Sequence, residues 1–360
     1  MDAESRNDCW LMKQKLVEIN GVMYMIITKT PFRMSFFGGG TDMAEFYEQY
    51  GGSVLSTTFD KYCYVTARHL PPFFDYSSEF AYANIERVKT TDEIEHPLIR
   101  NLMKFKDMHE IRLSYEADLP ARTGLGTSSS FAVGMLYAFY GLKGKRVDKR
   151  RLADEAIYVE RVLCREAGGI QDQIAAAFGG LNRIDMDRNG YTVTPIIISN
   201  QRKKEFNDSL MLFFTGFSRF SSEIQKETGK NIANKVKSLM EMKTLVDQAE
   251  EILTSKGDLN EFGKLLDYTW KLKRGISSAV STDSIDHIYQ RAMNAGATGG
   301  KLLGAGGGGF LLFYVEKDKR ERVLEELEDL LYVPFLFENE GSQVIYFKAE
   351  DYDVPEKYLK

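Results

Sequence analysis

Four consecutive hydroxyl residues, Thr127 to Ser130, follow the glycine-containing turn Gly124-Leu125-Gly126. Glycines let a backbone approach a ligand closely, and the N-terminus of a helix offers unpaired N–H groups and a positive dipole end. Hydroxyl groups in the first turn of such a helix suit phosphate oxygens or a Mg²⁺ ion. A tight turn with a Ser/Thr cap is the structural alternative, but it does not explain so many hydroxyls opening an otherwise apolar segment. The segment therefore predicts a polyphosphate-binding loop.

Two other phosphate-binding loops are excluded. The chain contains no G-x-x-x-x-G-K-[ST] segment, so a Walker-type loop is not expected. A literal G-x-G-x-x-G occurs at 304–309, but it precedes Phe310–Val315, an apolar segment typical of a strand. A dinucleotide-binding fold needs strand, loop and helix in that order. The glycines at 304–309 therefore do not predict NAD binding.

Glu160 lies four residues after Ala156 and three before Leu163, on or beside the apolar face of a predicted helix. A lone carboxylate in that position is costly unless it is paired or bound to a metal ion. The structural alternative is a solvated residue at the edge of the face, in contact with Cys164. Both interpretations stay open at this stage.

Three further polar residues stand at places where chemistry and structure compete. Asp172 begins a short predicted helix, and Asp42 precedes Glu45 by three residues, so each could cap a helix. Arg33 follows Pro31 in an extended segment, where a surface arginine is the structural alternative.

Strands and helices mix along the chain without a strict βαβ rhythm, which predicts an α+β fold. A length of 360 residues corresponds to two domains at about 150 residues each. Predicted strands include Met25–Thr30, which Pro31 ends, and Ile111–Glu116. A buried helix is predicted at 128–140, and a second helix, capped by Asp148, is predicted to run to about Glu166. The predicted organisation is an extension of no assigned role at 1–24, an N-terminal domain at 25–190 and a C-terminal domain at 191–360.

Composition narrows the function classes. The net charge of −5 gives no electrostatic sign of a nucleic-acid partner. No apolar run approaches the roughly 18 residues that span a bilayer, so no membrane association is expected. The first residues lack a signal-peptide pattern, and three widely spaced cysteines form no disulfide framework. A cytoplasmic protein is the expectation.

Three segments in order resemble the motifs of the GHMP kinases, a superfamily that includes galactokinase, homoserine kinase, mevalonate kinase and phosphomevalonate kinase. The segment at 124–130 resembles their G-L-G-S-S-A/S phosphate loop. The segment P-F-R-M-S-F-F-G-G-G-T-D at 31–42 resembles the N-terminal motif, and K-L-L-G-A-G-G-G-G at 301–309 resembles the C-terminal glycine motif.

This resemblance implies an N-terminal domain like ribosomal protein S5 domain 2, a ferredoxin-like C-terminal domain, and ATP and Mg²⁺ between them. It implies Asp172 as the base or orienting group for the acceptor hydroxyl, with Arg33 beside it. Ser128 and Glu160 are the implied Mg²⁺ ligands. The implied ATP-binding residues are Gly124, Leu125, Gly126, Thr127, Ser128, Ser129, Ser130, Gly306 and Gly307, and the implied acceptor-binding residues are Gly39, Gly40, Thr41 and Asp42.

The triple glycine at 38–40 resembles one branch of the superfamily more than the galactokinases, which carry Gly-Glu-His-Thr-Asp there. In that branch the enzymes phosphorylate the anomeric hydroxyl of D-glycero-D-manno-heptose 7-phosphate. The rival expectations are another sugar kinase, acting on fucose or galactose, and a non-catalytic sensor of ATP and sugar. A sugar phosphate substrate needs cationic or N–H partners. The sequence does not rank the candidates Lys29, Arg122, Arg183, Arg219 and Lys301, and it leaves open whether the chain forms a homodimer.

Overall fold

The computed structural model describes residues 22–70, 73–216, 232–276 and 280–351. Arg219 and almost all of the predicted extension at 1–24 lie outside these ranges. The first half of the described chain contains β1 (Val22–Phe37), α1 (Ala44–Tyr50), β2 (Gly52–His69), β3 (Ser78–Ala81), β4 (Ile85–Val88), α2 (Pro97–Phe105), β5 (Ile111–Ala117), α3 (Thr127–Leu142), α4 (Lys149–Ile157), a π-helical turn (Tyr158–Leu163), α5 (Gln171–Phe178), β6 (Leu181–Asp187) and β7 (Gly190–Pro195).

The second half begins with a helix and strand and continues through three longer helices. Its elements are α6 (Asn200–Asp208), β8 (Leu210–Phe214), α7 (Ile232–Thr254), α8 (Asn260–Ile276), α9 (Asp283–Ala295), β9 (Gly299–Leu302), β10 (Phe310–Tyr314), α10 (Arg320–Glu326), β11 (Leu331–Tyr332), β12 (Phe337–Glu338) and β13 (Gln343–Asp351). None of the helices described here combines the length and apolar character needed to cross a bilayer.

The larger sheet is built on the long antiparallel pair of β1 and β2. Its order is β13-β1-β2-β5-β3-β4, with β6 and β12 also pairing with β2 and β7 pairing with β6. The prediction that Pro31 ends the first strand is wrong, because β1 continues to Phe37. The register with β2 shifts between Pro31 and Phe32, and this bulge accommodates the proline within the strand. The bulge also lies two residues before Arg33.

The smaller sheet has the order β11-β8-β10-β9, and all three pairings are antiparallel. Counted within this sheet alone, the order is 4-1-3-2 with helices between strands, which is the ferredoxin-like arrangement. The α+β fold expected from the sequence is thereby confirmed. Strands β12 and β13 return to the larger sheet, so the last described strand pairs with the first described one. The domain boundary near residue 190 stays a prediction.

Helix α3 is buried on nearly every side and packs across β1 and β2. Its approach is close: the Thr28 hydroxyl donates to the Gly134 carbonyl, and a Cβ on Gly134 would lie 2.9 Å from the Thr30 hydroxyl oxygen. A larger residue at 134 would therefore push the helix away from the sheet. Because the segment predicted to bind phosphate leads into α3, this packing fixes that segment relative to β1.

An aromatic cluster joins the larger sheet to the helices that cover the smaller one. The Phe262 ring of α8 lies 5.4 Å from Phe36, 5.0 Å from Phe37 and 4.6 Å from Phe206, measured between ring centroids. Edge-to-face packing at such distances is favourable for aromatic rings. The cluster holds β1 and α8 at a fixed separation, and the cavity described next lies between them.

Candidate active site

A cavity of about 100 Å³ opens between the N-terminal motif, the 168–172 turn, helix α8 and the glycine loop after β9. Its walls carry both acidic and basic groups together with bare glycine backbone. The lining residues used below are Arg33, Ser35, Gly39, Gly40, Asp42, Arg161, Gly169, Gln171, Asp172, Lys273, Lys301 and Gly304.

Arg33 and Asp172 form a two-pronged ion pair at the edge of this cavity. Arg33 Nε donates to Asp172 Oδ1 at 2.7 Å and Nη2 donates to Oδ2 at 2.9 Å. The third guanidinium nitrogen, Nη1, donates to the Gly124 carbonyl at 2.8 Å. The Arg33 side chain is 5% exposed, so the surface-arginine alternative is wrong. Asp172 makes no side-chain cap on α5 and instead faces Arg33.

Gly126 brings the predicted phosphate loop against this ion pair. It has a φ of +73°, and a Cβ there would lie 3.3 Å from Arg33 Cγ and 3.4 Å from Asp172 Cγ. Both the left-handed backbone and the tight contact favour glycine. The predicted phosphate loop and the predicted catalytic pair are therefore neighbours in space.

The glycine motif near the C-terminus packs directly on the same loop. A Cβ on Gly304 would lie 2.3 Å from Gly124 Cα, and one on Gly309 would lie 2.3 Å from the Thr123 carbonyl oxygen. Gly306 and Gly307 lie against Val280, whose carbonyl accepts the Gly307 N–H. The run at 304–309 thus brings two backbone segments together at distances that a side chain would prevent.

The residues of the loop have different surroundings. Leu125 is buried, and its carbonyl accepts the Arg33 N–H at 3.2 Å. The Thr127 hydroxyl oxygen accepts the Arg122 N–H, and the Ser130 hydroxyl donates to the Pro31 carbonyl at 2.9 Å. Leu125, Thr127 and Ser130 therefore hold the loop in place, whereas Ser128 is exposed.

Glu160 is 1% exposed, so its interpretation as a solvated edge residue is wrong. Its carboxylate accepts from Ser128 Oγ at 2.9 Å, from Ser129 Oγ at 2.7 Å and from Gln173 Nε2 at 2.5 Å. It lies in the π-helical turn after α4, where the Cys164 N–H bonds to the Val159 carbonyl. Such turns occur often at functional sites.

These groups fit a Mg²⁺ ion bound together with nucleotide phosphates. Glu160 and Ser128 supply hard oxygen atoms, and Mg²⁺ is usually held by one or two carboxylates plus phosphates and waters. The side-chain amide oxygen of Gln173, Oε1, is buried and has no hydrogen-bond partner within the described chain. Among the described residues, no cluster of three or more acidic, histidine or cysteine side chains is arranged to hold a metal ion.

Asp42 is buried and does not cap α1, whose N-cap is Met43 without a side-chain hydrogen bond. Its carboxylate instead accepts the Gly40 N–H at 2.9 Å and the Gln171 N–H at 3.4 Å. Burial, followed by the nearby charge of Asp172, raises the pKa of Asp42 above its usual range. A Cβ on Gly169 would lie 1.8 Å from Asp42 Oδ2, so the 168–169 turn leaves room for this carboxylate.

Of the other acceptor-binding candidates, Gly39 and Gly40 line the cavity. Thr41 is fully buried, and its hydroxyl donates to the Gly38 and Ser53 carbonyls, which holds the turn. Two lining residues that the sequence did not indicate are Ser35 and Gln171. Ser35 Oγ and Gln171 Oε1 are buried and lack a hydrogen-bond partner among the described residues. Buried polar atoms of this kind normally have a partner.

The structure also separates the candidates for binding an acceptor phosphate. Lys301 lines the cavity, where its Nζ donates to the Phe36 carbonyl at 2.7 Å. Lys29 lies over the Tyr62 ring, and Arg183 pairs with Asp185, Asp247 and Glu250. Arg122 is exposed with a φ of +63°. Two cavity cations, Arg161 and Lys273, were not indicated by the sequence, because neither stands inside a motif.

The fold and the site together define a class of protein: a two-sheet α+β protein in which the predicted phosphate loop lies beside an Arg–Asp pair. Two family models match this chain and identify the class. The GHMP kinase N-terminal domain model matches residues 94–180, and the GHMP kinase C-terminal model matches residues 248–333.

Full-length relatives point in the same direction. The chain is 30% identical to D-glycero-alpha-D-manno-heptose 7-phosphate kinase of Campylobacter jejuni, over 89% of this chain and 98% of that one. A solved structure described as a D-glycero-D-manno-heptose 1-phosphate kinase from Bacteroides thetaiotaomicron matches with a TM-score of 0.73 and 26% identity, covering 89% and 99% of the two chains. L-fucokinase/L-fucose-1-P guanylyltransferase of Bacteroides fragilis is 29% identical over 59% of this chain, which is 23% of that longer protein.

The chain belongs to the GHMP kinases. It is an ATP-dependent phosphotransferase with an alcohol group as acceptor, and the sequence-based prediction of a GHMP sugar kinase is confirmed.

Proposed function

We propose that the enzyme transfers the γ-phosphoryl group of ATP to the anomeric hydroxyl of D-glycero-D-manno-heptose 7-phosphate, giving the 1,7-bisphosphate. The observation that carries the reaction type is the Arg33–Asp172 pair, which lies on the phosphate loop and lines the cavity. The similarity to a heptose 7-phosphate kinase over nearly the full length of both chains supports the choice of acceptor.

Asp172 is proposed to accept the proton of the acceptor hydroxyl. Arg33 binds both of its carboxylate oxygens, which fixes the orientation of the group, and the remaining lone pairs are available on the cavity side. Phosphoryl transfer depends mainly on positioning and on neutralising charge, so a rigidly held acceptor for the proton suits it. The Gly124 carbonyl fixes Arg33 in turn.

The segment at 124–130 is proposed to hold the ATP phosphates at the N-terminus of α3, with Gly306 and Gly307 closing the site from the other side. Ser128 and Glu160 are proposed to hold Mg²⁺, which when bound neutralises part of the phosphate charge. Ser129 and Gln173 keep the Glu160 carboxylate in position through their hydrogen bonds.

The acceptor is proposed to lie against Asp42, Gly39 and Gly40. Ser35 Oγ and Gln171 Oε1 offer further partners for its hydroxyl groups, because both line the cavity and lack a partner in the described part of the chain. A sugar with several hydroxyls would satisfy such atoms, and a site built this way discriminates strongly against acceptors that lack them. Thr41, which the sequence placed among the acceptor ligands, contributes by holding the turn.

A second candidate is another sugar kinase of the superfamily, favoured by the similarity to an L-fucokinase. An ATP-consumption screen separates the candidates: heptose 7-phosphate, fucose, galactose, mannose and mevalonate are offered at equal concentration with ATP and Mg²⁺. We expect the highest kcat/KM for heptose 7-phosphate and a ³¹P NMR signal for a new anomeric phosphate. Turnover with fucose but not with heptose 7-phosphate would transfer the assignment to the second candidate.

The variant Asp172→Asn tests the catalytic assignment. We expect its ADP affinity to be unchanged and its kcat to fall at least about 100-fold, the usual contribution of a positioned acid or base. Asp185→Asn is the matched control, because Asp185 also pairs with an arginine, Arg183, which keeps Asp247 and Glu250 as partners. If Asp172→Asn consumed ATP as fast as the control, Asp172 would have no part in the mechanism. If the wild-type protein bound ATP but turned over none of the acceptors, a sensor of ATP and sugar would be favoured instead.

A further inference from the structure

The cavity contains more basic groups than its two carboxylates account for. Asp172 is paired with Arg33, and Asp42 is held by backbone N–H groups. Arg161, Lys273 and Lys301 also line the cavity and donate to backbone carbonyls, and within the described ranges none of them forms an ion pair. Because an uncompensated buried cation is costly, this surplus indicates that the cavity receives an anion.

Lys273 has the most informative position among these cations. It lies on α8, and its ammonium group donates to the Gly304 carbonyl. Gly304 packs directly on Gly124, whose carbonyl binds Arg33. Lys273 is therefore attached to the point where the glycine motif, the phosphate loop and the catalytic pair meet.

Arg33 is less available as a charge-neutralising group than its position suggests. Its Nε and Nη2 are engaged by Asp172 and its Nη1 by Gly124. The electrostatic surroundings of Lys273 include both Arg33 and Asp42, and burial lowers the pKa of Lys273 to about 8. An anion arriving in the cavity would raise this pKa and so favour the protonated amine, which then faces that anion.

We propose that Lys273 binds the phosphoryl group during transfer and stabilises the negative charge on its equatorial oxygens. The inference rests on the proposed function, since it requires ATP and the acceptor to meet in this cavity. In the reaction the bond from the γ-phosphorus to the β,γ-bridging oxygen breaks and a bond to the acceptor oxygen forms. The hydroxyl proton passes to Asp172, ADP leaves with the bridging oxygen, and Lys273 stays protonated throughout.

This role differs from binding a phosphate that the acceptor already carries. The Lys273 amine is fixed to the glycine loop beside the phosphate loop, whereas Arg161 bonds to the carbonyl of Gly169, the residue packed against Asp42. The acceptor side of the cavity is therefore served by Arg161, and the nucleotide side by Lys273. A group on the nucleotide side affects kcat more than the KM of the acceptor.

The variant Lys273→Met tests the proposal, with Lys271→Met as its matched control. Lys271 is on the same helix, but its side chain is 66% exposed and pairs with Asp267. With saturating ATP and heptose 7-phosphate, we expect kcat of Lys273→Met to fall about 100-fold, as for loss of one preorganised donor. Both KM values should change less than about threefold, and Lys271→Met should match the wild type. Intact kcat with a raised acceptor KM would overturn the proposal, and so would unchanged kinetics.

A binding measurement separates this role from a folding defect and from an incorrect acceptor. Thermal melting and calorimetric titration with ADP and Mg²⁺ establish that the variant is folded and binds nucleotide. Aluminium fluoride, which imitates the phosphoryl group in transfer, is then added without any acceptor. We expect it to tighten ADP binding at least tenfold in the wild type and not in Lys273→Met; equal tightening in both, or none in the wild type, overturns the proposal. Failure of the wild type to use heptose 7-phosphate would instead count against the proposed function.

Discussion

Gly169→Ala is predicted to damage the acceptor site through one contact. The added Cβ would lie 1.8 Å from Asp42 Oδ2 and 2.1 Å from its Cγ, whereas such atoms normally stay more than about 3 Å apart. The carboxylate must therefore move by more than an ångström or the 168–169 turn must open. Asp42 is buried and fixed by the Gly40 and Gln171 N–H groups, so it cannot move freely.

The size of the effect follows from those hydrogen bonds. Each bond to a charged group contributes about 1.5–3 kcal/mol, and displacement of Asp42 weakens two of them as well as its contact with the acceptor. We expect a loss of about 1.5–3 kcal/mol in transition-state stabilisation, which is roughly a 10- to 150-fold fall in kcat/KM for the acceptor. The affinity for ADP should stay within a factor of about two, because Asp42 is not part of the phosphate loop.

The assay compares steady-state kinetics of Gly169→Ala and Gly275→Ala at saturating ATP. Gly275 is the matched control: it lies on α8 outside the residues that line the cavity, and a Cβ there would meet nothing within 4 Å. We expect the control to change kcat/KM by a factor much smaller than that of Gly169→Ala. Equal kinetics for Gly169→Ala and wild type, or an Asp42 carboxylate found unmoved in a structure of the variant, would refute the reasoning.

Three other predictions follow from the same geometry. Gly304→Ala should lose ADP affinity more than tenfold and melt at a lower temperature, since its Cβ would lie 2.3 Å from Gly124 Cα. Its control is Gly144→Ala, because Gly144 has a similar φ of +61° but a Cβ there would meet open space. The control should show the strain of the left-handed backbone, about 1–2 kcal/mol, and normal ADP binding. The free energy of unfolding of Glu160→Gln should be about 1–3 kcal/mol lower than that of the wild type, because one of the three donors to Glu160 loses its acceptor. The variant should also need more Mg²⁺ for its half-maximal rate. In the control, Glu155→Gln, a carboxylate with several donors is changed as well, and we expect lower stability without a change in Mg²⁺ requirement. Lys273 has a pKa of about 8 in the folded protein, against 10.5 ordinarily. Between these pH values the unfolded chain binds more protons than the folded one, so the folded state gains stability as pH rises. The unfolding free energy of the wild type minus that of Lys273→Met should therefore increase from pH 8 to 10, and a flat difference would contradict the lowered pKa.

The sequence determined a large part of the local structure. The apolar segment after the predicted phosphate loop became α3 at Thr127–Leu142, and the short helix predicted at Asp172 is α5, Gln171–Phe178. Asp148 caps α4 by accepting the Arg151 N–H, as its position predicted. These features depend on short-range periodicity, capping groups and glycines, all of which lie within a few residues of one another. Helical structure continues past α4 as predicted, but it does so as a π-helical turn and ends at Leu163 instead of about Glu166.

The sequence also indicated which polar residues belong to the site, through motifs whose order resembles the GHMP kinases. Arg33, Glu160 and Asp172 are indeed brought together with the phosphate loop by long-range contacts. Whether each does chemistry or has only a structural role was open, because the same residue types serve both. Burial excludes the solvated-edge alternative for Glu160, and the hydrogen bonds of Asp42 exclude the capping alternative for that residue, whereas their roles in the reaction stay predictions.

Tertiary structure decided what no local pattern contains. Lys273 and Arg161 belong to helical segments with ordinary charged sequences. Lys273 becomes a cavity residue because α8 packs through Phe262 against β1, and Arg161 lines the cavity where its guanidinium donates to the Gly169 carbonyl. Ser35 and Gln171 stand next to motif residues, but their unpaired oxygens are defined by the surrounding backbone. The glycines at 169 and 304 show their purpose only against Asp42 and Gly124, which are more than a hundred residues away. Local propensity determines the elements, whereas packing between distant segments determines which side chains share a cavity and in what charge state.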